Sequence, residues 1–158
     1  MNQREKEEIE INRFKIFTDN REQLPFKFPN TIYGTLPCGD YTVEFEGKLY
    51  NNQIVIERKG GISEIYGATG SGRDRWEREL EKLKSVEIKM VLCEFSYMDL
   101  VNKQPFGKLP SSAVYSSICS WQAQYNIPFI FCENRVNARG YLYKLFYEFT
   151  KHNILNLK

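Results

Sequence analysis

Two segments decide the fold. The first is Gly39-Asp40-Tyr41-Thr42-Val43-Glu44-Phe45, and the second, after a short polar interval, is Gln53-Ile54-Val55-Ile56-Glu57-Arg58-Lys59-Gly60-Gly61. Both are rich in β-branched and aromatic residues and both are bounded by turn residues, so each is expected to be a strand. Glu46-Gly47-Lys48 between them reads as a hairpin turn. Side chains alternate along a strand, which sets Val55, Glu57 and Lys59 on one face and Ile54, Ile56 and Arg58 on the other. A strand that is otherwise Ile-Val-Ile is expected to be central. Ending it in consecutive charges is costly unless those charges have partners or face a cleft.

Working outward, Phe14-Lys15-Ile16-Phe17-Thr18 reads as an earlier strand running into Asp19-Asn20-Arg21-Glu22. Pro25, Pro29 and Asn30 are expected to keep the next stretch irregular. After Gly61, the residues Ile62, Ile65 and Tyr66 suit a first helical turn or two, and Gly67 to Gly72 reads as a glycine-rich break. A helix over about 73–84 carries Trp76, Leu80 and Leu83 as one apolar stripe, expected to be core. An apolar strand follows at Met90-Val91-Leu92-Cys93. Ser111 and Ser112 are candidate caps for a helix carrying Val114, Ile118, Trp121 and Tyr125. Ile127-Pro128-Phe129-Ile130-Phe131-Cys132 reads as a buried strand, and a last helix over about 137–152 carries Leu142, Leu145, Phe146 and Phe149. Residues 1–13 are charged and read either as a short helix or as a mobile tail. The order of elements points to an α/β fold with a central mixed β-sheet flanked by helices.

The chain has 158 residues, enough for one domain and one core. The expected division is a charged segment over 1–13 and a single domain over 14–158. Net charge is only +2, so any case for a nucleic-acid partner rests on local placement rather than on overall charge. No apolar run is long enough to span a membrane, and Met1 to Arg13 lacks the apolar region of a secretory signal. Cys38, Cys93, Cys119 and Cys132 form no CxxC pair. They are read as reduced thiols of a cytoplasmic protein, with a disulfide as the alternative. The single histidine, His152, argues against a Cys/His zinc site and against histidine-based nuclease chemistry.

Asp40 is expected at the start of the strand that pairs with the Glu57 strand, which would bring the two carboxylates together. Neighbouring carboxylates repel, and a hard divalent cation relieves the repulsion. Mg²⁺ typically takes one or two carboxylates and completes its shell with water and phosphate. Lys59 adds a positive charge suited to a phosphoryl transition state. By itself, an Asp…Glu-x-Lys pattern is a weak signal, because a solvated strand end with surface ion pairs gives the same letters.

Three ordered segments make it specific: Thr18-Asp19-Asn20-Arg21-Glu22, Leu36-Pro37-Cys38-Gly39-Asp40-Tyr41 and Ile56-Glu57-Arg58-Lys59-Gly60. Together they closely resemble the nuclease domain of the XPF-type structure-specific endonucleases, and the resemblance covers most of residues 14–152. It implies a PD-(D/E)XK restriction-endonuclease-like fold and phosphodiester hydrolysis dependent on Mg²⁺ (or Mn²⁺). The implied substrate is flap, fork or other branched DNA in repair, recombination or replication. By matching motif positions, Asp19 and Glu22 join Asp40, Glu57 and Lys59 in or near the active site, with Asp40 and Glu57 as metal ligands. Arg21 and Arg58 occupy the family's motif arginines. Together with Arg73 and Arg75 of the glycine-rich basic segment, they make up the expected DNA contacts, although Arg21 reads equally well as a partner for a neighbouring acid. Two departures stand out. Ser63, followed by Glu64, stands where the family carries an acid, and the hairpin at Glu46 to Asn52 is longer than usual. No tandem helix-hairpin-helix module is expected within these residues, and compact relatives of this kind look bacterial or phage-like. Pairing with a second copy or with a protein partner is implied by resemblance alone.

Three functional readings follow. The leading one is a metal-dependent endonuclease. The second is an exonuclease or sequence-specific nuclease using the same core. The third is a non-catalytic DNA- or partner-binding subunit that retains the fold; intact Asp40, Glu57 and Lys59 weigh against it.

Overall fold

The computed structural model describes residues 1–103 and 107–158. In chain order the elements are α1 (Gln3–Ile11), β1 (Lys15–Asp19), β2 (Thr31–Gly34), β3 (Tyr41–Phe45), β4 (Lys48–Leu49), β5 (Ile54–Lys59), α2 (Ile62–Thr69) and α3 (Arg73–Leu83). They continue with β6 (Ile88–Cys93), α4 (Tyr97–Asn102), α5 (Ser111–Tyr125), β7 (Phe129–Phe131), α6 (Arg135–Phe149) and a π-helical turn at Thr150–Ile154. One mixed sheet runs β2-β1-β3-β5-β6-β7, with the two-residue β4 pairing β3. β1 and β3, and β3 and β5, are antiparallel, whereas β5, β6 and β7 are mutually parallel.

Alternation along β5 sorts the interior into two cores. Val55, together with Val91 and Cys93 of β6, packs against Ile65 of α2, Trp76, Leu80 and Leu83 of α3, and Trp121 of α5. Ile54 and Ile56 point the other way, into a core with Tyr41, Val43, Phe14, Phe26 and the α6 residues Leu142, Phe146 and Phe149. Each of these side chains contributes roughly 1.5–3 kcal/mol when fully buried, so β5, clamped between helices on both faces, has little freedom to slip. A register shift by one residue would exchange the two cores.

Several local features differ from the sequence reading. Thr31–Gly34 is an edge strand parallel to β1 rather than irregular chain. It lacks a clean alternation of buried and exposed residues, so it carried no periodic signal. α2 continues through Gly67 to Thr69, which shrinks the expected glycine-rich loop to Gly70–Gly72. The N-terminal segment is a helix, closed by a capping box between Asn2 and Glu5. Pro110, not a serine, caps α5, with Ser111 as its first helical residue. α4, not anticipated, begins where the Ser96 side chain accepts from Asp99 N–H. α6 starts at Arg135, where the Asn134 side chain accepts from Asn137 N–H.

Gly39 is the turn on which the site depends. Its φ is +72°, and a β-carbon there would collide with Val55 Cγ1. The turn feeds Asp40 between two strands, with its N–H donating to Ile56 O at 2.9 Å and its carbonyl accepting from Asp19 N–H at 2.8 Å. Gly39→Ala is therefore expected to destabilise the protein by about 2 kcal/mol, through left-handed strain and displacement of Val55. Urea denaturation would measure it.

Candidate functional site

Asp40 sits where β3 meets β5. Its Oδ2 accepts from Arg58 N–H at 2.7 Å, which fixes the carboxylate beside the end of β5. Glu57 and Lys59 project from β5 on the Val55 side, 13% and 14% exposed, with Lys59 Nζ 3.5 Å from Glu57 Oε1. Among the described residues, Lys59 is the one cation within ion-pair distance of Glu57, and Asp40 has none. The electrostatic consequence follows. Burial, and then the charges of Glu57 and Glu22, push the Asp40 carboxyl well above the usual range despite the Arg58 N–H and Lys59. Burial likewise pushes Glu57 up, partly offset by Lys59 and reinforced by Glu79 and Glu22.

Two carboxylates that resist joint ionisation in a half-dry cleft suit a hard dication. Among the described residues, no three carboxylate, cysteine or histidine side chains converge on one point. The donor set thus fits an ion that fills most of its shell with water or phosphate oxygens, as Mg²⁺ does.

Two adjoining hollows open here. One, of about 330 Å³, is lined by Glu57, Lys59, Glu64, Arg75, Trp76 and Glu79, among others. The other, of about 300 Å³, shares Glu57, Lys59, Glu64 and Arg75 and reaches Asp40, Glu22 and Leu24. Glu64 therefore faces the groove, while Ser63 does not line it. A larger hollow, of about 510 Å³, lies elsewhere, between α1 and α6.

Asp19 and Glu22 take different positions from the central trio. Asp19 is buried, and both its oxygens are occupied: Oδ1 by Arg21 N–H at 2.9 Å and Nε at 2.8 Å, Oδ2 by Arg21 Nη2 at 2.9 Å and Leu36 N–H at 2.7 Å. Burial alone would raise its carboxyl, but these bonds outweigh that and hold it below the usual range. It anchors the turn after β1 to the segment before Gly39. Glu22 receives Arg58 Nε at 3.0 Å and Nη2 at 2.7 Å, a two-pronged pair only 8% and 4% exposed. The Arg58 bonds likewise outweigh burial and pull the Glu22 carboxyl down.

Arg58, one of the expected DNA contacts, lines the second hollow but with only 4% of its side chain exposed. Its guanidinium lies on the Ile56 side of β5, held by Glu22, by Glu94 at 3.2 Å and by the Phe26 ring at 5.8 Å, away from solvent. Arg73 is also engaged, with Glu77 at 2.9 Å and Ser117 at 3.1 Å. Arg21 is paired with Asp19 yet 65% exposed. Arg75 is exposed at the groove and forms no ion pair among the described residues; Arg21 also lines the second hollow, but paired with Asp19.

Sequence reasoning missed the arginines behind the site. Arg135 binds Glu94 at 2.7 Å and the carbonyls of Leu24 and Pro25 at 3.0 Å each. Arg139 donates twice to Lys27 O, at 2.9 and 2.7 Å. The only available sequence signal was Glu94, a charge closing the buried strand β6 much as Glu57-Arg58-Lys59 closes β5.

The family model of the ERCC4 domain matches residues 4–145. Two solved structures share the fold. "XPF from Aeropyrum pernix" has a TM-score of 0.59 at 18% identity, covering 88% of this chain and 61% of that one. "XPF from Aeropyrum pernix, complex with DNA" has a TM-score of 0.64 at 19% identity, covering 89% and 66%. The chain thus spans less than two thirds of the length of either structure. No curated protein matches it in sequence.

Glu22→Ala would leave the buried Arg58 with Glu94 as its remaining carboxylate partner and is expected to cost about 3 kcal/mol in chemical denaturation. Asp40 behaves oppositely. Its native carboxyl binds a proton more tightly than the unfolded one, so stability is lost as pH rises from the unfolded value near 4 through the raised native value. With divalent ions chelated, Asp40→Asn should therefore raise the melting temperature at pH 8 by about 2–4 °C, as about 1 kcal/mol does for a domain of this size. The gain should disappear near pH 4. Added Mg²⁺ should stabilise the wild type more than the variant.

Proposed function

The chain belongs to the ERCC4 domain family and has the XPF-type nuclease fold, and on that premise we propose that it is a divalent-metal-dependent endonuclease acting on branched DNA. The observation that carries the reading is the convergence of Asp40, Glu57 and Lys59 in one groove, with both carboxylates held above their ordinary pKa range. Flap, fork and other single-strand/double-strand junctions are the proposed substrates. The DNA complex of the similar Aeropyrum pernix XPF supports a nucleic-acid partner.

Asp40 and Glu57 are the residues proposed to hold Mg²⁺ or Mn²⁺. Such an ion, when bound, acidifies its water and neutralises phosphoryl oxygens. The protein supplies the rest. Arg58 N–H fixes the orientation of Asp40. The Lys59 ammonium, at the edge of the groove beside Glu57, offers positive charge to the non-bridging oxygens as negative charge grows on them. Arg75 at the mouth is proposed to hold a flanking phosphate, a contact that positions the strand without reading sequence. Asp19 behind the groove, and the Glu22–Arg58 pair along its wall, keep these groups in register.

Labelled flap, fork and linear duplex DNA, incubated with wild-type and Glu57→Gln protein, test the proposal. Cleavage is expected with Mg²⁺ or Mn²⁺, abolished by chelator and reduced roughly 100-fold or more by Glu57→Gln or Lys59→Ala. Arg75→Ala is expected to weaken binding across all substrates and to reduce its salt dependence by about one counterion. Folded protein that binds DNA but cuts nothing under any condition would overturn the catalytic reading in favour of a binding subunit.

A further inference from the structure

Lys59 has an unusual pair of neighbours for a half-buried ammonium. Its Nζ lies 3.5 Å from Glu57 Oε1, a long contact, and 4.1 Å from the centre of the Trp76 ring. Trp76 is 4% exposed and lines the same hollow as Glu57 and Lys59. It belongs to the apolar stripe of α3 with Leu80 and Leu83 and meets Trp121 edge to face. Core packing accounts for an apolar residue at this position but not for an indole. Trp76 Nε1 is buried with no hydrogen-bond partner, whereas Trp121 Nε1 donates to Glu77 at 3.0 Å. Phenylalanine or leucine would fill the stripe without stranding a buried donor. What the indole adds is the best cation-binding face among the side chains.

A π face differs from a carboxylate in one useful respect. A second acid beside Lys59 would fix the ammonium but cancel its charge, and it would compete with the phosphoryl oxygens the charge is meant to meet. An aromatic face holds the cation while leaving the charge undiminished. We propose that Trp76 positions Lys59, holding its ammonium beside Glu57 and toward the groove. This deepens the reading of the groove as a site of phosphodiester hydrolysis and rests on it. Trp76 is buried beneath Lys59 and is proposed to act through it, as a positioning residue.

Two measurements test it independently. In protein labelled at lysine, the Lys59 ε-methylene resonance, assigned by its loss in Lys59→Met, is expected upfield of the lysines other than Lys48 and Lys144, which lie over tyrosine rings, because of the indole ring current. It should return to the ordinary position in Trp76→Leu. An ordinary position in the wild type overturns the proposal whether or not any DNA is cut. On the preferred DNA substrate, kcat is expected to fall in the order Trp76, Trp76→Phe, Trp76→Leu. The last loss should be roughly 5- to 20-fold, the range of a partly desolvated cation–π contact, with KM nearly unchanged. A folded Trp76→Leu with wild-type kcat also overturns it. Should Trp76→Leu not fold, a Trp121→Phe background leaves Trp76 as the single tryptophan. Fluorinated tryptophan then weakens the ring face with little change of shape. Stepwise loss of kcat with fluorine number supports the proposal, and a flat response overturns it. If the wild type cuts none of the substrates, the hydrolysis reading fails, while the resonance still decides whether Trp76 holds Lys59.

Discussion

A strand buried on both faces that ends in Glu57-Arg58-Lys59 must find a place for each charge, and the surrounding structure is arranged around that requirement. Alternation sends Glu57 and Lys59 toward α3 and Arg58 toward α6. On the α6 side, the protein neutralises the charge with its own carboxylates, Glu22 and Glu94. On the α3 side it does not: Glu57 has one long ion pair, and Asp40 has a backbone N–H but no cation. One face of the same strand end is electrostatically complete, and the other is left with negative charge in need of a partner. That asymmetry marks the candidate site more firmly than the size of a hollow does, since a larger one lies elsewhere.

The completed face is also what makes the incomplete one rigid. A buried ion pair is at best a modest source of net stability, but breaking one is expensive, so it enforces a single arrangement. Here the series Glu22, Arg58, Glu94 and Arg135 links the turn after β1, the ends of β5 and β6, and the start of α6. Gly60 packs against this series closely enough that a β-carbon would strike the Arg58 guanidinium. The glycine after Lys59 therefore marks close packing as well as the end of a strand.

The parts of this arrangement visible in the sequence are those governed by short-range periodicity. The two-residue alternation of β5 correctly separated Glu57 and Lys59 from Arg58, and the stripe of Trp76, Leu80 and Leu83 is buried as its spacing implies. The ordered motifs pointed to the family that the domain match shows. Partner identity was not visible. Nothing near Arg58 in sequence indicates that Glu94 will share it, and the roles of Arg135 and Arg139 depend on where α6 docks. β2 escaped notice because an exposed edge strand need not alternate. Gly67 misled because glycine lowers helix propensity without forbidding a helix, and α2 is held by the burial of Ile65, Tyr66 and Ala68. The partners of Arg73 were equally hidden: composition suggested a basic loop, whereas the side chain pairs with Glu77 one turn along α3 and meets Ser117 and Trp121 of α5.

The carbonyls of Leu24, Pro25 and Lys27, held by Arg135 and Arg139, belong to the loop that rims the groove beside Glu22. That rim is tied by charged donors to a helix rooted in the core, and Phe26 is pressed beneath the guanidinium of Arg135. The wall nearest Asp40 is accordingly a fixed jaw rather than a flap. The opposite wall, where Arg75 stands, rises from α3, so both sides of the groove are carried by helices packed on the sheet.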